Sequence, residues 1–236
     1  DEPLMWGALP HAVFVDLRTT RWSLGASDII FKNDACRWFF HQGQTLEVLR
    51  GAGVFQPAID TAIAKLNEAR WVHIFPEGRV NLTSSAFLLR FKWGIARMAL
   101  EARRMPLIVP VWLTGFDQIM PAHRAHPRWL PRLGADVTVT FGTPIDLARL
   151  EPFAQAYAAG TADVPFPELA DVPAAHLYPE RPAVLRDGDA PAYAALRSRL
   201  AAFLRAQLAQ HGAAARRLHG MGEGEGILAH RPGVPV

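Results

Sequence analysis

The chain has 236 residues, half of them hydrophobic, enough for one large domain or two small ones around a sizeable core. Its formal net charge of +3 suits an anionic surface or substrate without demanding one, and the dispersed basic residues form no nucleic-acid recognition motif. A lone cysteine, Cys36, excludes an intramolecular disulfide, and no set of Cys and His has zinc-ligand spacing, so neither a metal site nor a cofactor is expected.

Pro3 to Val15 carries no formal charge but is interrupted by Gly7 and Pro10. It reads as a core or interfacial segment, not a spanning helix, which needs about 20 apolar residues. Within it, residues 4–9 form one or two helical turns stopped by Pro10, and Ala12 to Leu17 reads as a short strand. Residues 27–41 follow as an amphipathic helix with Ser27-Asp28 as its cap and Ile30, Phe31, Trp38 and Phe39 on its apolar face. Residues 45–49 read as a strand that stops at Arg50-Gly51. Residues 57–69 form a helix with Pro57 near its start and Ile59, Ile63 and Leu66 along one side.

An apolar run, residues 71–75, then reads as a buried strand that ends in Pro76-Glu77-Gly78, which is turn chemistry. Strand, helix, strand in that order predicts a parallel pair with a right-handed crossover. Arg50 and Glu77 both lie just past strand ends, so a cation and a carboxylate far apart in sequence fall on one edge of the sheet, where open α/β sheets place ligands. On spacing alone, a structural turn with both charges facing water is an equal reading.

Ser84 or Ser85 is expected to cap a helix over 86–103, with Phe87, Leu88, Phe91, Ile95 and Met98 apolar and its N-terminus toward the same edge. Leu107 to Leu113 is a further strand in which Pro110 marks a sheet edge or a bulge, delivering Thr114 to Asp117 to that edge. Asp136 to Phe141 alternates as a strand does. The Ala-, Pro- and Asp-rich texture of 150–191 has no clear period, and residues 191–210 look helical through Leu196, Leu200, Phe203, Leu204 and Leu208. The expected architecture is α/β, a mostly parallel central sheet flanked by helices. Its expected parts are a core over 1–149, an Ala/Pro-rich insert over 150–190, a C-terminal helix over 191–219 packing on the core, and a flexible tail over 220–236.

Phe75-Pro76-Glu77-Gly78 resembles the signature of the glycerolipid acyltransferase superfamily. The longer run Trp71 to Asn81, followed by Arg90-Phe91-Lys92-Trp93-Gly94-Ile95, resembles the tafazzins, and Arg21-Trp22 and Arg50-Gly51 fall at matching places. The resemblance covers residues 1–145 and the C-terminal helix. It implies acyl transfer from a phospholipid to a lysophospholipid, typically monolysocardiolipin, without coenzyme A and without an acyl-enzyme.

The superfamily base is the histidine of a His-x4-Asp motif. In tafazzins that motif continues into a Trp-Gly pair, and Asp1 stands at the matching distance from Trp6-Gly7. Asp1 therefore resembles the motif's aspartate, and its histidine is expected five residues upstream, ahead of the sequence in hand. Any targeting segment would also lie there. His11 and Asp16 share the same spacing and are the weaker pair. His73 reads as structural, and His41, His123 and His126 have no partner at a telling spacing.

On this resemblance Asp1 orients the base, and Arg50 with Gly51 binds a lipid phosphate. Glu77 orients the glycerol hydroxyl or the phosphate loop. Phe75, Pro76, Gly78 and Arg79 also fall among the substrate-binding residues, Gly78 by letting the backbone come close and Arg79 by adding positive charge. The implied partners are phospholipid and lysophospholipid substrates. The implied setting is peripheral or monotopic, on mitochondrial membranes facing the intermembrane space, with Pro3–Val15 and the exposed part of Leu107–Phe116 as candidate contacts; plain core packing is the other reading of both and the favoured one for Leu107–Phe116. Leu113 in place of a histidine, Asp117-Gln118 in place of an Asn-Asp-like pair, and the 150–190 insert depart from the pattern. An acyl-CoA-dependent lysophospholipid acyltransferase and a non-catalytic membrane-binding protein are the alternatives.

Overall fold

A computed structural model describes residues 2–10, 12–16, 18–80, 88–119, 132–164 and 191–220. The predicted cap at Ser84 or Ser85, His11, His123, His126, Asp1, most of the insert and the tail lie outside them.

The chain enters through a short helix α1 (Glu2–Met5), a 3-10 turn (Trp6–Ala8) and a second one-turn helix α2 (Ala12–Val15). The strand expected over 12–17 is therefore not formed. Local bonds replace it: Thr19 Oγ1 donates to Val13 O at 2.8 Å, and Asp16 accepts the Arg18 backbone N–H at 2.8 Å. Such side-chain bonds give the backbone an alternative to a sheet ladder.

The first strand is one the sequence reading missed, β1 (Trp22–Ala26). Two short helices follow, α3 (Ser27–Ile30) and α4 (Asp34–Gln42), in place of one continuous helix over 27–41. The cap is Asn33, whose side chain accepts from Cys36 N, whereas Ser27 Oγ donates to Glu47 at 2.6 Å. Trp38 and Phe39, expected to face the core, are 67% and 64% exposed.

Next come β2 (Thr45–Val48), α5 (Pro57–Asn67) and β3 (Val72–His73). The sheet order is β2-β1-β3, with β1 parallel to both neighbours. The pair expected to be adjacent is thus parallel but separated by the missed strand. Ile59, Ala62 and Ile63 of α5 bury against Leu24, Leu46 and Val72 of the sheet, as the i, i+4 spacing of Ile59 and Ile63 predicts.

Helix α6 (Gly94–Glu101) begins eight residues after the predicted 86; Leu88 and Phe91 are buried ahead of it, outside any helix or strand. Strand β4 (Val111–Thr114) leads into α7 (Phe116–Ile119), and β4 pairs antiparallel with β5 (Thr138–Phe141). Among the described residues this two-stranded sheet is separate, and the parallel sheet there has three strands and is not one continuous central layer. Pro110 sits just outside β4, where its missing N–H costs no ladder bond, and its carbonyl accepts from Gly142 N at 2.8 Å.

The opening of the expected insert is helical: α8 (Leu147–Ala159) is capped by Asp146 and ends at Gly160 with φ +67°. The last described element is α9 (Pro191–Leu218), 28 residues long. Leu196, Leu200, Phe203 and Leu204 are at most 3% exposed and pack with Phe91, Leu150 and Phe153. A third cluster joins Met5 and Trp6 to Phe116, Ile119, Trp71 and Val139, tying the chain's start to both sheets. Among the described residues no helix is long and apolar enough to cross a membrane.

Candidate active site

Beyond β3 the chain turns at Phe75–Gly78, closed by the Gly78 N–H donating to Phe75 O at 3.1 Å. Gly78 has φ +66°, a conformation that a side chain disfavours, and a Cβ there would lie 3.1 Å from Lys92 Cγ. Lys92 N–H donates to Pro76 O at 2.7 Å. The two stretches that carried the resemblance, 71–81 and 90–95, are thus bonded to each other at the turn.

Glu77 lies inside this junction. Its carboxylate accepts the Leu89 backbone N–H, while burial pushes its pKa up from 4.5 to about 7, against the pull of the Arg205 and Arg79 charges. Oε2 is buried and accepts no hydrogen bond from the described residues. An orphaned buried acceptor costs about 1–3 kcal/mol, so such an atom in a native fold calls for an explanation. A carboxyl poised near neutrality at a strand end is the kind of group that accepts a substrate hydroxyl.

Arg50 sits two residues past β2. Its Nε donates to Asp28 Oδ1 at 2.9 Å and Nη2 pairs with Asp28 Oδ2, an exposed ion pair that raises the guanidinium pKa and lowers that of the carboxyl. The loop that carries it is held by Gln56, whose side chain accepts from Leu49 N at 2.9 Å and donates to Gly53 O at 2.6 Å. Gly51 takes φ +88° in this loop, and a Cβ there would meet no atom within 4 Å. Because β2 and β3 both run parallel to β1, Arg50 and Glu77 leave the same edge of one sheet.

Asp1 lies outside the described residues, but the segment after it is anchored at this site. Trp6 is 3% exposed and stands edge-on to Trp71 and His73, each with centroids 4.9 Å away. His73 in turn meets the Phe75 ring at 4.7 Å. Phe75 and Arg79 are exposed, and Pro76 is half-buried. Asp16, half of the second His-x4-Asp spacing, is held by the Arg18 side chain at 2.8 Å, which lowers its pKa.

The contributions from Leu89 and Arg205 were not anticipated. A backbone donor leaves no mark in sequence. Arg205 did leave one, a charge inside the apolar stretch Phe203-Leu204-Arg205-Ala206 of α9.

A family model described as Acyltransferase matches residues 1–114, a span that holds Arg50, Glu77 and their strands. Tafazzin of Drosophila melanogaster is 40% identical over 147 residues, covering 62% of this chain and 38% of that protein. The protein named Taffazin in Dictyostelium discoideum is 38% identical over 149 residues, covering 61% and 50%. Over about three fifths of its length the chain is thus similar to tafazzins, and its first 114 residues match the Acyltransferase model. An N-acylphosphatidylethanolamine synthase of Arabidopsis thaliana is also similar, 32% identical over 148 residues and covering 62% and 52%. The chain spans about half the length of these relatives, and less in the fly protein. The matched Acyltransferase span ends at Thr114, the last residue of β4, so α8 and α9, with Arg205, lie beyond it.

Proposed function

We propose that this protein moves an acyl chain from a phospholipid to a lysophospholipid, with no coenzyme A and no acyl-enzyme. The observation that carries the reading is Glu77, a buried carboxyl with an orphaned oxygen, in the turn that the family signature marks. A histidine, expected five residues ahead of Asp1 and oriented by it, takes the proton of the lysophospholipid hydroxyl. That oxygen attacks the donor's ester carbonyl. The tetrahedral intermediate collapses, and the imidazolium returns its proton to the departing glycerol oxygen. A positioned base of this kind contributes about 10²–10⁴-fold, and the aspartate stabilises the imidazolium as in a hydrolase triad.

Glu77 orients the acceptor's glycerol or the phosphate-binding loop, and the reacting hydroxyl keeps its one proton for the histidine. Arg50 exchanges Asp28 for the phosphodiester, whose two oxygens match the guanidinium fork. Gly51 keeps that approach open, Phe75 and Pro76 line it, and Arg79 adds to the field that draws an anionic headgroup. Gly78 holds the turn shape. The acceptor is monolysocardiolipin, on the mitochondrial membrane face toward the intermembrane space.

Contact with the bilayer is peripheral or monotopic. Leu4, Val15 and Leu107 support it, being 53%, 84% and 64% exposed, and so do Trp38 and Phe39. The exposed part of Leu107–Phe116 is its beginning, with Leu107 64% and Val109 41% exposed and Phe116 buried.

The test uses the full-length protein with its upstream residues, and liposomes of labelled phosphatidylcholine and monolysocardiolipin. Label appearing in cardiolipin, with lysophosphatidylcholine formed alongside, is the expected result. Transfer only after acyl-CoA is added replaces the reading with a CoA-dependent acyltransferase. The similarity to an N-acylphosphatidylethanolamine synthase favours one further arm, phosphatidylethanolamine as acceptor. Label on its amine would move the acceptor from oxygen to nitrogen.

A further inference from the structure

A guanidinium is costly to bury unless hydrogen bonds and a counter-charge compensate it. The described residues hold three buried arginines, Arg97, Arg197 and Arg205, at 6%, 3% and 9% exposure. Arg97 is accounted for by Asp60 at 2.6 Å and Glu101 at 2.8 Å, and Arg197 lies over the Phe55 ring at 5.2 Å. Arg205 bears on the candidate site. It reaches out of the middle of α9 and donates from Nη2 to Leu88 O at 2.6 Å.

Leu88 is the residue before Leu89, whose N–H holds the Glu77 carboxylate. One peptide unit therefore joins the two charges: its carbonyl accepts from Arg205 and its N–H donates to Glu77. The same segment is fixed a second time where Lys92 N–H meets Pro76 O. Hydrogen bonds made through one peptide polarise each other in the same sense.

We propose that Arg205 is a positioning residue of the acyl-transfer site, setting the placement and the charge of Glu77 through the Leu88–Leu89 peptide. The inference rests on the reading of Glu77 given above. It assigns a role in the site to the C-terminal helix, far in sequence from the signature motifs. The charged groups that act on Glu77 are Arg205 from α9 and Arg79 from its own loop, and Lys92 lies against the adjoining Gly78. Arg79 is exposed, so its influence is screened by solvent, whereas that of Arg205 is not.

The test compares wild type, R205M and R205K in the full-length protein. The Glu77 carboxyl is followed through a pH titration by carbon NMR with labelled glutamate, its signal assigned by its loss in E77Q. Transacylation between labelled phosphatidylcholine and monolysocardiolipin is measured over the same pH range. In R205M the Glu77 midpoint should rise by roughly one pH unit, the acid limb of kcat should follow it, and KM should change less than kcat. R205K should restore much of the midpoint, because it keeps the charge. A folded R205M whose Glu77 midpoint and acid limb match wild type overturns the proposal. Should R205M not fold, R205K decides through its kcat, expected to fall at least several-fold because the Nη2 bond to Leu88 is lost; an unchanged kcat overturns it. A shifted midpoint in a protein whose wild type transfers no acyl chain would keep the Arg205–Glu77 coupling and discard the transacylase reading.

Discussion

Glu77 fixes the chemistry at the scale of a single residue. Its pKa stands near 7 rather than 4.5, so the folded state retains a proton that the unfolded chain has released. Stability therefore falls as pH rises from about 4.5 to about 7, and the penalty is complete above that. E77Q removes the titration. Its stability relative to wild type should improve by roughly 1–3 kcal/mol between pH 4 and pH 8, measured by denaturant unfolding at both values. A pH-independent difference would mean the carboxyl is not buried in solution. The same substitution should reduce transacylation by about 100-fold or more, and near-normal activity would demote Glu77 to a turn residue. Arg50 behaves in the opposite way. Its pair with Asp28 is exposed, and such pairs add little stability, so R50A should leave the melting temperature close to wild type. The loss should appear in binding, as a KM for lysophospholipid raised about 10-fold, the worth of one charge-assisted hydrogen bond. An unchanged KM removes Arg50 from the site.

The Phe75–Gly78 turn shows, at the scale of an element, how a short motif becomes a site. The turn is closed by one backbone bond and backed by Lys92, and Gly78 supplies the left-handed φ. G78A should cost about 1–2 kcal/mol from that conformation alone and should lower kcat more than it lowers stability, because the turn aims Glu77. Calorimetry and kinetics on one preparation check both halves. The turn was legible in Pro-Glu-Gly because those residue types have few other uses after a β-run. Strand β1 was not legible: Trp22–Ala26 is short, contains Gly25, and forms its ladders with Thr45–Val48 and Val72–His73, which local sequence does not encode. Gly25 has a packing reason, since a Cβ there would stand 2.2 Å from Ile30 Cδ1. The break between α3 and α4 was hidden in a similar way. Asn33 makes a better cap than Ser27, whose hydroxyl is engaged by Glu47 from β2.

For the whole molecule α9 is the integrating part. At about 1.5 Å per residue its 28 residues span roughly 42 Å. It is buried on so many sides that arginine and glutamine occur among its buried positions. It meets β4 closely enough that a Cβ on Gly212 would lie 2.4 Å from Trp112 Cζ3. G212A should therefore destabilise the fold by about 1–3 kcal/mol through overpacking, read as a lower melting temperature. An unchanged value would show that Trp112 can move aside.

By itself the sequence determined the elements with strong local signals: the apolar period of α5, the apolar side of α9, the strands at Thr45–Val48 and Thr138–Phe141, and the turn that holds Glu77. Those signals are local because side-chain period and turn residues act within a few positions of one another. Parallel geometry followed from connection order, and so did the shared edge of Arg50 and Glu77. Only the tertiary structure decided that β1 lies between β2 and β3, that β4 and β5 form a sheet of their own, and that Trp38 and Phe39 face outward. It also decided that a peptide at Leu88–Leu89 and an arginine 117 residues from Leu88 complete the surroundings of Glu77. Backbone donors and long-range charges carry no pattern along the chain; they acquire their partners only when the core closes and excludes water around them.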